Sequence, residues 1–300
     1  MTVGYRASMR PRLLIVFAAL CFSTTGTIQE LGPDDASALS VAATRTAIGA
    51  IVLLLISRAS RNQTPSKSLP LRELALAGAG MALYAAAFFS AVRMTGIAVG
   101  TVVALGSAPL FAGLGSLVMW RERPSQLWIF TTIIAVLGMA LIVITGDETQ
   151  IDVAGIVAAC GAGFGYAMFA LSSKSIMSES MNAARAMAYV FGIATVMLSP
   201  IFILVDLSWI TSWSGVGTAA WLGIVSVALA YWAYSTGLRS VTPADATALT
   251  IVEPVAATLL AAFVLREQPG LLAWVGIAIV IGALSIGSRT RETLTAQQAA

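Results

Sequence analysis

The segments ALGSAPLFAGLGSLVMWRERP (104–124) and LTIVEPVAATLLAAFVLREQP (249–269) repeat one pattern at a constant offset of 145 residues, without a gap. The matching positions are mostly prolines and charges: Pro109 with Pro254, Arg121 with Arg266, Glu122 with Glu267, and Pro124 with Pro269. Such residues have specific structural consequences, so their coincidence is a strong sign of duplication. The chain is therefore predicted to contain an internal repeat.

The composition indicates that this repeat lies in a membrane. Of the 300 residues, 58% are hydrophobic and only 10% are charged, and the mean hydropathy is +0.88. Soluble domains carry about 25% charged residues. No soluble core could bury this much apolar surface, so we expect an all-α integral membrane protein surrounded by lipid.

Ten apolar runs are long enough to be membrane-spanning helices of ~20 residues. Their predicted bounds are 12–30, 37–57, 73–93, 97–119, 125–145, 152–173, 183–205, 215–238, 243–265 and 270–288. Only short connections separate them, so no soluble domain is expected. The segments 1–11 and 289–300 are predicted to be short tails.

The basic residues predict the orientation of these spans. Of the 17 Lys and Arg residues, fourteen fall on the side of the N-terminus, two on the other side, and Arg45 within a span. Positive residues accumulate on the cytoplasmic side. Both termini are therefore predicted to be cytoplasmic, and the net charge of +3 does not indicate a nucleic-acid partner.

The repeat and the span count together predict two five-helix halves, 12–145 and 152–288. Because five is odd, the second half crosses the bilayer in the opposite sense to the first. Inverted repeats of this kind are typical of secondary transporters, whose substrate sites usually lie near the membrane midplane between the halves.

With these motifs the chain resembles the drug/metabolite transporter superfamily, and more narrowly its EamA-type family of bacterial inner-membrane exporters. The segments APLFAGLGSLVMWRERP and VEPVAATLLAAFVLREQP carry the resemblance, which covers about 12–288. Arg45 matches an arginine common in the family's second helix, whereas the Trp-Gly pair often found in the first helix of a repeat is missing. The resemblance implies export of amino acids or other small metabolites and drugs, driven by a gradient.

Pro109 and Pro254 are predicted to interrupt their helices. Proline has no amide hydrogen and clashes with the carbonyl four residues earlier, which is Leu105 for Pro109 and Thr250 for Pro254. A free carbonyl must face protein, water or substrate. Paired, proline-interrupted helices point to a transport site.

Glu253 and Arg45 are the two clearly deep ionisable residues of the predicted spans. Each lies ~12–15 Å into its span at 1.5 Å per residue, and a charge facing lipid there costs ~2.5–3.5 kcal/mol or more. Their repeat mates are Ala108 and Ala188, so neither charge is duplicated. Three roles remain open for Glu253: binding of substrate or a proton, a structural ion pair with Arg45, or capping of backbone amides.

Other polar groups have a less specific meaning. Deep tyrosines tend to face polar cavities, which makes Tyr84, Tyr166, Tyr231 and Tyr234 candidates for substrate or proton binding, although packing explains each one singly. Glu122 and Glu267 lie at helix ends, where we expect loop-packing or gate residues.

Five tryptophans near span ends are predicted to form an interfacial belt: Trp120, Trp128, Trp209, Trp213 and Trp221.

Enzymatic chemistry finds little support. There is no histidine, the two cysteines Cys21 and Cys160 lie within apolar runs, and the glycine-rich stretch 161–165 lies within a span, where helix packing is expected. No catalytic residue, metal or cofactor is predicted. Transport of a small molecule is favoured over a membrane scaffold and an intramembrane enzyme. Within transport, proton coupling and an uncoupled facilitator or exchanger both remain open. A monomer and a homodimer both remain open.

Overall fold

The computed structural model describes residues 9–59, 69–143, 152–178 and 181–298, and this part of the chain is almost entirely helical. Residues 60–68, 144–151 and 179–180, which include most of two predicted connections and the end of the predicted span 125–145, lie outside the described residues, as do the ends of both tails. We number the long helices α1 to α10. They are α1 Met9–Glu30, α2 Ala38–Ala59, α3 Leu71–Gly96, α4 Val99–Trp120, α5 Gln126–Val143, α6 Val153–Ser178, α7 Ala183–Leu198, α8 Trp213–Leu238, α9 Pro243–Leu265 and α10 Leu271–Gln298.

Eight of these helices are long and apolar enough to cross a membrane by themselves. The other two, α7 and the apolar part of α10 (Leu271–Ile286), are shorter apolar helices at the positions of two predicted spans. The seventh run was predicted to extend to residue 205, but α7 ends at Leu198 and only the short helix Ile201–Leu204 follows. Pro200 between them has no amide hydrogen with which to continue α7.

Gly96 separates α3 from α4. Its φ of 81° and ψ of 163° are non-helical, and its positive φ suits a residue without a side chain. The chain turns back here, so that a Cβ on Gly100 in α4 would lie 3.2 Å from Cγ2 of Val92 in α3. The turn accounts for two antiparallel helices joined by almost no loop.

Helices of the two halves interlock rather than forming separate bundles. Helix α6 packs against α3 and α4, while α1 packs against α8 and α9, which are the corresponding helices of the other half. Helix α2 contacts α7, and α5 contacts α10. Every one of these contacts has its counterpart when the halves are exchanged, as a two-fold axis between them would require.

The aligned ends of α4 and α9 share an unusual backbone conformation. Arg121 and Arg266 have φ angles of 57° and 59°, and they are the non-glycine residues with positive φ in the described part of the chain. Both donate their amide to a carbonyl of the preceding helix, Leu117 and Ala261 respectively. The left-handed residue after a helix normally is glycine or asparagine.

The predicted tryptophan belt is partly wrong. Trp213 is 93% exposed and Trp120 and Trp221 are also exposed, as a belt requires. Trp209 and Trp128, by contrast, are only 2% and 8% exposed. Trp209 packs against α2 and α8 with Val41 and Leu222, because the 3₁₀ turn Ser208–Thr211 directs it inward.

Candidate functional site

The six residues predicted to bind substrate or protons meet at the junction of the two halves. Arg45 is on α2, Tyr84 on α3, Tyr166 on α6, and Glu253 on α9. Tyr231 and Tyr234 are on α8. The charges of Arg45 and Glu253 act on each other and on the hydroxyls of Tyr84 and Tyr231, and Glu253 also acts on Tyr166. Residues up to 208 positions apart in the sequence thus form one polar cluster. Its role in binding substrate or protons remains a prediction.

An aromatic wall continues from these tyrosines. The ring centroids of Tyr84 and Tyr166 are 5.5 Å apart, and those of Tyr166 and Tyr234 are 6.2 Å apart. Phe169 joins Tyr231 edge-on at 5.4 Å. Four phenylalanines complete the wall: Phe22, Phe88, Phe169 and Phe191. Such contacts hold the rings in defined orientations, because aromatic pairs prefer offset or edge-to-face arrangements to a face-to-face sandwich.

Small residues bring the tyrosines of α3 and α6 together. A Cβ on Gly80 would lie 2.6 Å from the carbonyl oxygen of Gly165, and one on Gly165 would lie 2.8 Å from the amide nitrogen of Tyr84. No side chain larger than hydrogen fits at either place. Gly163 and Gly165 of the stretch 161–165 therefore act in close helix packing, as expected, whereas Gly161 is not tightly packed. The contact of Gly165 with Gly80 places Tyr84 beside Tyr166.

Glu253 lies where α9 is interrupted. Regular helix stops at Leu249 and restarts at Val252, which puts Glu253 in the first turn of the second segment. A carboxylate is stabilised at a helix N-terminus by the partial positive charge there. The carbonyl of Thr250 was predicted to be free, and this is wrong: it accepts the amide of Glu253 at 2.9 Å.

Pro109 does not interrupt its helix. It lies inside α4, and the non-helical residue within 71–120 is Gly96. The predicted break at Pro109 is therefore incorrect, and the two halves differ here. Neighbouring helices tolerate a proline within a spanning helix, and α6 packs closely on α4, where a Cβ on Gly163 would meet the Ala104 carbonyl at 2.7 Å.

Arg45 and Glu253 interact without direct contact. Nη1 of Arg45 donates to Oγ1 of Thr25 on α1 at 3.5 Å. In the described residues, no ion pair or hydrogen bond links the guanidinium to Glu253, and the Glu253 carboxylate makes no hydrogen bond to a backbone amide. Both side chains retain accessible surface. A structural ion pair and an amide cap, two of the three roles left open, are thus not seen in this conformation.

The predicted loop residues Glu122 and Glu267 are both exposed at helix ends. The charge of Glu122 acts on Lys174 of α6, in the other half. Nζ of Lys174 donates to the carbonyls of Leu238, Arg239 and Val241 at 2.8, 3.0 and 3.0 Å. This lysine thereby ties the end of α6 to the connection between α8 and α9.

Sequence reasoning missed the four phenylalanines, Thr25 and Lys174. The pair Thr24-Thr25 within an apolar run was a usable signal, because hydroxyls at such depth need partners; Thr24 in fact accepts from Trp221 Nε1 at 3.1 Å. The phenylalanines gave no such signal. Among the described residues, no group of three or more His, Cys, Asp or Glu could hold a metal ion.

Comparisons with known proteins agree with this architecture. The model of the EamA-like transporter family matches residues 9–144 and again 153–288. A Bacillus subtilis (strain 168) protein called "Uncharacterized transporter YwfM" is 37% identical over 289 residues, which cover 96% of this chain and 97% of that protein. A solved structure, described only as "Crystal structure of protein", superposes with a TM-score of 0.78 at 20% identity, covering 93% of this chain and 98% of the other. The last likeness concerns the fold alone.

Proposed function

Because the chain belongs to the EamA-like transporter family, and is therefore a multi-pass integral membrane transporter, we propose that it exports small organic solutes across the bacterial inner membrane. Amino acids and similarly sized metabolites or drugs are the substrate class. Membership in the family indicates transport rather than catalysis. Ten spans, arranged as inverted halves 12–145 and 152–288 with cytoplasmic termini, form the proposed scaffold.

The observation that carries the proposal is the pairing of two opposite charges with an aromatic wall. Arg45 is a donor for a carboxylate, and Glu253 accepts an ammonium group or a proton. The tyrosine and phenylalanine rings add apolar surface beside these charges. A zwitterion with an apolar side chain satisfies all three features.

Alternating access fits the way in which the halves meet. The glycine contacts between α3 and α6 provide a surface on which one half rocks against the other around a fixed site. The break in α9 beside Glu253 is the discontinuous helix that such sites often contain. Glu253 then meets water from each side in turn, and it exchanges a proton or a substrate cation at each exposure.

Solute flux in proteoliposomes tests the proposal. The purified protein is reconstituted into proteoliposomes, which are loaded with a mixed panel of amino acids and small metabolites. Flux is then measured with and without an imposed pH gradient. Flux that rises with the gradient supports a proton-coupled exporter. Flux indifferent to the gradient supports an uncoupled facilitator or exchanger of the same fold. The absence of flux for every solute, including dipeptides and cationic drugs, would favour the scaffold alternative.

A further inference from the structure

The two sides of the polar cluster are not closed to the same degree. We call the side on which α1 begins and α6 and α8 end the terminal side; there, a Cβ on Gly237 of α8 would lie 2.5 Å from the Pro11 carbonyl of α1. The opposite side carries the turn between α3 and α4, where a Cβ on Gly155, near the start of α6, would lie 2.8 Å from Cβ of Met94. On the proposed scaffold, the terminal side is the cytoplasmic side.

Matching segments of α9 and α4 differ in burial. The first segment of α9 begins on the terminal side, and α4 begins on the opposite side. Five positions on the terminal side are at most 7% exposed: Val241, Ala244, Ala246, Thr247 and Ala248. Their counterparts 145 residues earlier are half-buried or exposed: Gly96, Val99, Thr101, Val102 and Val103. The repeat therefore extends to the sequence but not to the burial of these two segments.

Direct packing of helices closes the terminal side. The first segment of α9 packs against the α3–α4 pair and against α6, and α6 also packs against the last turns of α8. Among the described residues, no packing of this extent joins the α3–α4 pair to α1 or α8, as an equally closed opposite side would require. Arg45 and Glu253 nevertheless retain accessible surface. The opposite side is therefore their route to water.

Aromatic rings fill the space between the polar cluster and the terminal side. The Phe169 ring lies 5.4 Å from that of Tyr231 and 5.8 Å from that of Tyr234, between ring centroids, and so joins α6 to α8. These three rings and that of Tyr166 are at most 6% exposed. Lys174 follows five residues after Phe169, or ~7.5 Å further along α6 at 1.5 Å per residue. The rings thus form a buried layer above Lys174.

Two basic side chains join the helix ends beyond this aromatic layer. Nζ of Lys174 donates to three backbone carbonyls within 238–241. Nη2 of Arg239 donates in the other direction, to the Met181 carbonyl in the connection between α6 and α7, at 2.6 Å. A helix end leaves such carbonyls free, and hydrogen bonds from charged donors are stronger than neutral ones. The end of α6 and the connection between α8 and α9 are thus tied in both directions.

We propose that Lys174 and Arg239 form the cytoplasmic gate of the transporter, which is closed in this structure while the opposite side is open. The proposal rests on the proposed function, because only a chain that alternates access needs a gate. Opening toward the cytoplasm requires Lys174 to release its carbonyls and Phe169 to separate from Tyr231. At the offset of 145 residues, Arg239 corresponds to the uncharged Met94, so this arginine has no counterpart on the opposite side.

The labelling rates of two engineered cysteines test the gate. Ala246→Cys places a thiol in the closed first segment of α9, and Thr101→Cys places one at the matching position of α4. Both are made with Cys21→Ala and Cys160→Ala, and are labelled with a hydrophilic maleimide in lipid nanodiscs, where both faces of the protein meet the reagent. Thr101→Cys should react at least about tenfold faster than Ala246→Cys, because a thiol behind a closed gate reacts only from a minor conformation.

Removing either basic residue should open the gate. Lys174→Met should speed the labelling of Ala246→Cys by about tenfold, because a hydrogen bond from a charged donor stabilises the closed form by at least this factor. Labelling of Thr101→Cys should stay equal or fall. Arg239→Met should act in the same direction, so the test does not depend on the folding of one variant. Arg58→Met, which removes an exposed basic residue in the last turn of α2, is the control and should change neither rate.

Three results would overturn the proposal. Faster labelling of Ala246→Cys than of Thr101→Cys without further substitution would reverse the assignment of the open side. Unchanged rates in both Lys174→Met and Arg239→Met would show that these residues do not hold the gate. A rise at both thiols would indicate general loosening, with Lys174 acting only as a cap of α8. Labelling needs no solute, so an absence of flux with the expected labelling would count against the transport proposal alone.

Discussion

Arg121 and Arg266, which occupy matching positions 145 residues apart, both end their helices in the left-handed conformation, with φ of 57° and 59°. This conformation costs a non-glycine residue ~1–2 kcal/mol. The sequence repeat thus extends to the backbone angles, although arginine does not favour a positive φ. A strained conformation kept in both halves suggests that the arginine side chains have a use at the ends of α4 and α9.

Replacing Arg266 by glycine should therefore stabilise the fold while removing that side chain. We expect the free energy of unfolding to rise by ~1 kcal/mol in Arg266→Gly, and to fall in Arg266→Val, because a β-branched residue tolerates positive φ poorly. Thermal unfolding in detergent measures both. Arg93→Gly, at an exposed arginine within α3, is the control and should lose ~1 kcal/mol. Loss of stability in Arg266→Gly would show that contacts of the arginine side chain contribute more to the free energy of unfolding than relief of the backbone strain does.

The close contact of α3 with α6 should not accept a methyl group. Gly80→Ala would place a Cβ 2.6 Å from the Gly165 carbonyl, so the helices must separate at a cost of ~1–3 kcal/mol. Transport should fall as well, because Tyr84 moves away from Tyr166. Gly192→Ala is the matched control, since nothing lies within 4 Å of its Cβ position. Thermal stability and flux for the two variants should differ clearly; equal behaviour would contradict the packing described.

Lys174 should matter more for stability than an ordinary basic residue. Its ammonium group donates to three carbonyls, one at the end of α8 and two in the connection to α9. Hydrogen bonds to charged groups contribute ~1.5–3 kcal/mol. Lys174→Met should therefore lower the free energy of unfolding by ~1–3 kcal/mol, allowing for partial exposure. The comparison is Arg93→Met, which removes an exposed charge and should change stability by less than ~0.5 kcal/mol. Indistinguishable melting temperatures would show that the three bonds do not persist in solution.

The absence of a direct Arg45–Glu253 ion pair has a specific consequence. Removing one member of a buried ion pair leaves the other charge buried without a partner, which costs ~3–5 kcal/mol of stability. Removing the second charge as well then restores stability. Here Arg45 bonds Thr25 instead. The double variant Arg45→Ala with Glu253→Gln should be no more stable than the better single variant, and it should not transport. Recovery of melting temperature in the double variant would establish a structural pair.

The sequence predicted the all-helical membrane fold and nearly all helix positions, because hydropathy acts over whole spans. It also singled out the residues that gather at the junction, because deep charges and hydroxyls are costly unless they meet. The end of α7 at Leu198, the uninterrupted α4 and the burial of Trp209 could not be predicted in the same way. Each depends on which neighbour packs against a residue. Pro109 and Pro254 illustrate this, because regular helix continues through Pro109 but is interrupted just before Pro254.

The most direct test of the account is the pH dependence of flux in Glu253→Gln proteoliposomes, measured beside the wild type and Glu267→Gln. Glu267 is exposed just after the end of α9. It serves as the control for removing a glutamate that lies outside the polar cluster. We predict that Glu267→Gln keeps the wild-type response to a pH gradient, whereas Glu253→Gln folds and inserts but loses gradient-driven flux. Gradient-driven flux of wild-type magnitude at every pH in Glu253→Gln would remove this carboxylate from the mechanism.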